Sequence, residues 1–147
     1  MRLRMKAGNF PRVNIIGCNL PFEVTEDDWL VSIADAKTPP ALTMLPFGRI
    51  LYMHFDDVGD ERERNAITDE QAKEIADFIK EARAQGKNLW ANCHAGICRS
   101  GAVVSLAIDL GWEDAKHWNS PGRIPNHLVF NKVRKHFPEL TYSWETQ

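Results

Sequence analysis

Four short runs of apolar, β-prone residues are spaced along the chain and predict strands. Glycines and prolines lie at or near the ends of several runs, as is typical of strand boundaries. The predicted strands are Arg12 to Cys18, Ala41 to Leu45, Arg49 to Phe55 and Leu89 to Asn92.

Elsewhere the apolar residues recur at helical spacing. The clearest helix begins after Thr68, where Gln71 completes a capping box, and Gly86 closes it. A nearly all-apolar stretch from Ser100 to Leu110 predicts a buried helix. Weaker start and stop signals predict three more helices: after Thr25, over Glu113 to Trp118, and over Pro125 to Phe137.

Strands that alternate with helices predict an α/β fold with three layers. We expect a central, mostly parallel sheet of four to five strands flanked by helices, in a single domain spanning residues 1–147. Ligands of such sheets bind beyond the carboxyl ends of the strands. The segment between the Leu89 to Asn92 strand and the following buried helix lies at that place.

Charge and composition exclude several classes of function. The net charge is −2, and no basic cluster stands out, so we expect neither nucleic-acid nor membrane binding. The basic start, MRLRMK, is not followed by an apolar core of signal-peptide length. The three cysteines are an odd number in a chain without an export signal. We therefore expect a cytoplasmic location, without a disulfide framework.

The stretch ANCHAGICRSGAV, which runs from Ala91 to Val103, carries the candidate chemistry. A loop that ends at a helix N-terminus presents unpaired backbone amides to anions. Gly96 allows the backbone angles that let several amides converge, and Arg99 adds a planar fork that matches two phosphate oxygens. Helix dipole, amides and guanidinium all favour the thiolate form of Cys93. The spacing therefore predicts a nucleophile beneath a bound phosphate.

Other interpretations of this stretch are open. Cys93, His94 and Cys98 could ligate a metal, although no fourth ligand follows at a familiar spacing. A redox or sulfur-transfer site is a second alternative. Cys98 itself is either a small packing residue or a partner that captures an oxidised Cys93 as a disulfide.

Together, Cys93, Ala95, Gly96, Arg99 and Ser100 resemble the signature loop of the cysteine-dependent protein tyrosine phosphatase superfamily. The chain is short, and in this it resembles the compact dual-specificity-like branch of the superfamily, which includes small bacterial and phage members. The resemblance extends upstream to the Phe55 to Asp57 run and downstream to the Pro125–Asn126 pair.

The resemblance implies a role for each residue of the loop. Cys93 would attack phosphorus and form a cysteinyl-phosphate. Arg99 and the amides of the loop would bind the phosphate oxygens, and Ser100 would donate a hydrogen bond to the sulfur. No metal or other cofactor is implied. The phosphate-binding residues would be His94, Ala95, Gly96, Ile97, Cys98 and Arg99.

The family also needs an aspartate as general acid and base on a loop upstream of the cysteine. Asp56, Asp57 and Asp60 follow the Arg49 to Phe55 strand, and we predict Asp57. One departure is Asn92, which stands where most members have a histidine. An amide can supply hydrogen bonds to the loop but no charge.

The resemblance implies a substrate class as well. His94, Ile97 and Cys98 include no lysine, whereas phosphoinositide-cleaving relatives often carry basic residues at these positions. We expect a phosphorylated protein or peptide as the partner, with phosphotyrosine as the preferred residue. Whether phosphoserine and phosphothreonine are also substrates is left open. We also expect a monomer. The alternatives are a catalytically weak phosphate-recognition module and a phosphatase acting on a non-protein phosphate ester.

Overall fold

The computed structural model describes residues 4–115 and 122–140. Five strands form one sheet in the order β3-β2-β4-β1-β5, and every pair of neighbours is parallel. The strands are β1 (Lys6–Pro11), β2 (Asp28–Ala34), β3 (Arg49–His54), β4 (Asn88–Cys93) and β5 (Glu113–Asp114). The helices are α1 (Arg12–Ile16), α2 (Asp69–Gln85), α3 (Arg99–Asp109) and α4 (His127–Arg134).

Side chains that alternate along the central strands divide the core between two faces of the sheet. Leu89, Ala91 and Cys93 of β4 face the larger cluster, which contains the apolar sides of α2, α3 and α4. Trp90 faces the smaller cluster with Phe10 of β1, and α1 covers that side. The predicted α/β architecture with helices on both faces is confirmed. No helix in the described part of the chain is long and apolar enough to cross a membrane.

The elements around the candidate loop agree with the sequence predictions. The β3 and β4 strands, the capped helix α2 and the buried helix α3 all lie where the patterns place them. Thr68 and Gln71 form the predicted capping box, and Gly86 ends α2 at a φ of 70°. Trp29, Trp90 and Trp112 are buried, as expected for core residues, while Trp118 and Trp144 lie outside the described residues.

The predicted strand over Arg12 to Cys18 is wrong. The strand is β1, one segment earlier, and the chain turns into α1 directly after Pro11. The run Lys6–Pro11 contains a glycine, an asparagine and a proline, so its local propensity for a strand is weak. It is nevertheless a strand because β4 and β5 hydrogen-bond to it on either side.

The predicted helix after Thr25 is also wrong, because Asp28–Ala34 is the strand β2. All seven of its residues are buried, and continuous apolar runs of this length do not distinguish a strand from a helix. Asp28 does not serve the first turn of a helix. Its carboxylate accepts hydrogen bonds from the Trp90 indole (2.8 Å), the Asn88 amide (2.9 Å) and the Thr25 backbone (2.9 Å).

Three smaller predictions differ from the structure. Ala41 to Leu45 forms no strand, although Ala41 is buried against the smaller cluster. Glu113 and Asp114 form β5 where a helix is predicted, and the rest of that predicted helix, beyond Ala115, lies outside the described residues. The last helix begins at His127, since Asn126 caps it, and ends at Arg134.

Replacing Asp28 with alanine should destabilise the fold by about 2 kcal/mol, because the buried Trp90 N–H would lose its acceptor. Urea unfolding followed by fluorescence measures this change. Asp27→Ala is the matched control. The Asp27 side chain is exposed and pairs with Lys87, so its loss should cost less than about 1 kcal/mol. Equal effects of the two substitutions would contradict this account of β2.

Candidate functional site

The segment between β4 and α3, here called the Cys93 loop (residues 93–99), lies at the carboxyl edge of the sheet. Cys93 ends the strand and is 2% exposed, so its thiol is at the base of the loop. The Ser100 hydroxyl lies 3.1 Å from the sulfur, and the Ser100 backbone N–H donates to it at 3.5 Å. A thiolate at this position would therefore have two hydrogen-bond donors at the start of α3.

The backbone carbonyls of the Cys93 loop are hydrogen-bonded to groups outside it. Arg12 N–H donates to the carbonyl of His94 (3.1 Å), the Asn9 side chain to that of Gly96, and Ile124 N–H to that of Ile97 (3.3 Å). Asn126 N–H donates to the carbonyl of Cys98 (3.0 Å).

The backbone amides of the same loop are left for a ligand. Those of His94 to Cys98 donate to no group among the described residues. Carbonyls tied to the outside and unpaired amides form the anion-binding arrangement that backbone nests and helix N-termini use. This geometry suits the phosphate-binding role predicted for His94, Ala95, Gly96, Ile97 and Cys98.

Gly96 has a φ of 73°, in the left-handed region. A Cβ at this position would lie 2.2 Å from the Phe10 backbone carbon, closer than any side chain can approach. Both the backbone angle and the contact with the end of β1 therefore require glycine here.

Arg99, the first residue of α3, is held in place by two acceptors. Its Nη1 donates to the Asp35 carboxylate (2.7 Å) and to the Phe55 carbonyl (2.8 Å). The guanidinium is 5% exposed, and its buried Nε has no hydrogen-bond partner among the described residues. The Nη1 side of the guanidinium is thus anchored, while the buried Nε–H could donate to an oxyanion.

Asp57 lies on the loop that follows β3, here called the Asp57 loop (residues 56–65). Its Oδ1 accepts a hydrogen bond from the Asn126 side chain at 2.7 Å, and the same amide group donates to the Val58 carbonyl at 3.0 Å. The Asn126 oxygen meanwhile caps α4 by accepting from Val129 N–H. Asn126 therefore connects the Asp57 loop, α4 and, through its backbone, the Cys93 loop.

The two other carboxylates of the Asp57 loop have other partners. Asp56 accepts from the Ala36 backbone at 2.9 Å and from the Asn65 amide at 3.4 Å, so it closes the loop. Asp60 bonds to Arg62 at the surface, and this hydrogen bond lowers the pKa of Asp60. A carboxyl group that is harder to protonate is a poorer general acid. Of the three candidates, only Asp57 is next to the Cys93 loop.

Cys98 and His94, the other two candidate metal ligands of the Cys93 loop, differ in their surroundings. Burial, followed by the charge of the nearby Asp57 carboxylate, raises the pKa of Cys98, which keeps it a neutral thiol. His94 is exposed to solvent.

Within the described part of the chain, no three His, Cys, Asp or Glu side chains are grouped as a metal ion requires. The metal interpretation of Cys93, His94 and Cys98 therefore has no geometric support.

Asn92 does not supply the hydrogen bonds to the loop that an amide here could make. Successive side chains of a strand point to opposite faces, so Asn92 lies across the sheet from Cys93. Its amide is buried, and neither polar atom has a hydrogen-bond partner among the described residues. Within the described part of the chain, the Asn92 side chain therefore makes no hydrogen bond to the Cys93 loop.

Sequence analysis missed the residues that support the site from other segments. Asp35 orients Arg99, while Asn9 bonds to both the Gly96 carbonyl and Arg123 (3.1 Å). Arg123 in turn pairs with Asp114 of β5. No local pattern distinguishes these residues from ordinary polar ones. Asp35 and Asn9 share one signal, their position, since Asp35 directly follows β2 and Asn9 lies in the second half of β1.

Comparison with known proteins gives limited similarity. No family model matches the chain, and no curated protein sequence matches it significantly. Thirteen chains of solved structures match. One of them, described as the crystal structure of Tk-PTP in the active form, is 18% identical with a TM-score of 0.44, and the match covers 97% of this chain and 86% of that one. At this level of similarity, the chemistry of the site has to be argued from this chain's own residues.

Gly96→Ala should abolish oxyanion binding, because the new Cβ would displace the loop from β1. The matched control is Gly86→Ala, since Gly86 has a similar φ of 70° but open space around it. The two variants share a backbone strain of about 1 kcal/mol, and only Gly96→Ala meets a steric clash. The measurement is the rise in the thermal unfolding midpoint on adding sulfate. A full rise in Gly96→Ala would contradict the loop geometry.

Proposed function

We propose that this chain is a cysteine-dependent phosphatase that hydrolyses phosphate monoesters through a cysteinyl-phosphate intermediate. One observation carries the proposal: the buried Cys93 thiol lies at the base of a loop where neither the amides of residues 94–98 nor the buried Arg99 Nε donates to any described residue. The chemistry of these groups suits a tetrahedral dianion above a sulfur nucleophile.

In the first step, the Cys93 thiolate attacks phosphorus in line with the ester oxygen. A phosphorus–sulfur bond forms while the bond to the ester oxygen breaks. The loop amides and Arg99 bind the three remaining oxygens, where charge develops in the transition state. Asp57 donates its proton to the departing oxygen, so that an alcohol or phenol leaves in place of an alkoxide or phenoxide.

In the second step, water hydrolyses the intermediate. Asp57, now a carboxylate, takes a proton from the water as its oxygen attacks phosphorus. The phosphorus–sulfur bond breaks, and inorganic phosphate and the thiolate form. The Ser100 hydroxyl and backbone N–H, which contact the sulfur, stabilise the negative charge that returns to it.

The proposed substrate is a phosphorylated protein or peptide, phosphotyrosine first. His94, Ile97 and Cys98 place no lysine on the Cys93 loop to bind additional phosphate groups. The resemblance to the dual-specificity-like branch supports the same substrate class and leaves phosphoserine and phosphothreonine open. We further propose that the protein is a cytoplasmic monomer that binds neither nucleic acid nor membranes.

Peptides of one sequence that carry phosphotyrosine, phosphoserine or phosphothreonine test the proposed substrate class. The phosphotyrosine peptide should have the highest kcat/KM.

The wild-type chain should hydrolyse para-nitrophenyl phosphate in the presence of a chelator, and vanadate should inhibit it. Cys93→Ser should lose turnover, because a hydroxyl is a much weaker nucleophile at neutral pH than a thiolate. It should keep phosphopeptide binding by calorimetry. Turnover that needs a metal or survives in Cys93→Ser would contradict the mechanism. Binding without turnover in the wild type would indicate a phosphate-recognition module.

Asp57→Asn should lower kcat/KM for phenyl phosphate by about 100- to 10,000-fold, the usual contribution of a general acid. The loss should be much smaller for an aryl phosphate whose phenol is strongly acidic, because that leaving group needs no proton. Asp60→Asn is the matched control on the same loop and should leave kcat/KM unchanged for both substrates. If Asp60→Asn reproduced the selective loss, the assignment of Asp57 would be wrong.

A further inference from the structure

Lys132 is a buried lysine outside the candidate site that joins three parts of the chain. It lies in the second half of α4, and its side chain is 8% exposed. Its ammonium donates to Asp69 in the first turn of α2 at 2.6 Å and lies 3.1 Å from Glu61 of the Asp57 loop. These contacts, led by the hydrogen bond to Asp69, raise the pKa of Lys132, so it stays charged at neutral pH.

The two carboxylates around Lys132 are not equivalent. Asp69 makes the shorter contact, at 2.6 Å, and connects α4 to α2. Both carboxylates are largely exposed, 87% for Asp69 and 64% for Glu61, so each pair contributes little to stability. The pair with Glu61 differs from the other in what it joins. Its main effect is to connect the Asp57 loop to α4.

The same helix also contacts this loop at its other end. Asn126, the cap of α4, donates to Asp57 and to the Val58 carbonyl. The loop itself is closed where Asp56 N–H donates to the Asn65 carbonyl at 2.8 Å. The Asp57 loop is thus attached to α4 at two points, by Asn126 at Asp57 and Val58 and by Lys132 at Glu61.

We propose that Lys132, through Glu61, is a positioning residue that keeps Asp57 over the Cys93 loop in a geometry suited to proton transfer. This inference rests on the proposed function, because it requires Asp57 to be the general acid. A small displacement of an acid lowers the rate only when the proton transfer matters. The loss should therefore depend on the leaving group.

The test compares kcat/KM for phenyl phosphate and for an aryl phosphate with a strongly acidic phenol. This parameter reports the first, phosphoryl-transfer step. Lys132→Met and Glu61→Gln should lower it about tenfold for phenyl phosphate and should change it less than about twofold for the activated ester. Lys132→Arg should restore most of the rate because it keeps a cation. Glu61→Gln removes an exposed charge, so it tests the idea even if Lys132→Met fails to fold.

Two matched controls separate positioning from stability. Asp69→Asn removes the negative charge that pairs Lys132 with α2 and leaves Glu61 in place, so it should cause no selective loss. Glu63→Gln removes an exposed carboxylate of the same loop that does not contact Lys132. Asp57→Asn serves as the reference, and combining it with Glu61→Gln should add no further selectivity because both act through one proton transfer.

Each outcome has a distinct meaning. Suppose that Asp57→Asn shows the selective loss, while Glu61→Gln and Lys132→Met lower kcat/KM equally for both substrates or leave it unchanged. Lys132 then has only a structural role. The proposed function would then stand and this inference would be wrong. A wild type without turnover, or an Asp57→Asn variant without selectivity, would overturn the acid assignment and the inference together.

Discussion

The candidate anion site depends on which groups hydrogen-bond to the carbonyls of the Cys93 loop. Donors from Asn9, Arg12, Ile124 and Asn126 bond to the carbonyl oxygens of four loop residues, and the amides of residues 94–98 donate to no group in the part of the chain that the structure describes. A peptide group has its N–H and C=O on opposite sides, so fixing one direction fixes the other. Gly96 makes this turn possible, since only glycine fits against the end of β1.

The Arg99 guanidinium shows how the proposed function would compete with stability. Arg99 is buried, and a buried charge destabilises a fold unless it is paired and hydrogen-bonded. Asp35 supplies the charge, and the Phe55 carbonyl supplies a second acceptor. The buried Nε has no hydrogen-bond partner in residues 4–115 and 122–140. A buried donor without an acceptor destabilises the protein, and an oxyanion that accepted from it would remove this cost.

The start of α4 connects the groups that would have to act together. Asn126 bonds through its backbone to the Cys93 loop and through its side chain to Asp57, while Lys132 adds a second contact with the Asp57 loop. A nucleophile and an acid that are attached to one rigid element keep their separation during thermal motion. Such preorganisation is more useful to catalysis than the small stability that each contact contributes.

The sequence by itself determined the parts of the protein whose signals are local. These are the capped helix α2, the buried helix α3, the strand β4 and the glycine-containing loop with its cysteine and arginine. Asp57 was also predicted, through a family resemblance, and its catalytic role stays a prediction. Only the tertiary structure decided that Lys6–Pro11 and Asp28–Ala34 are strands, because neighbouring strands override weak or ambiguous propensity. It alone placed Asn9, Asp35 and Lys132, since their partners lie far away in the chain and a hydrogen bond between distant segments leaves no local pattern.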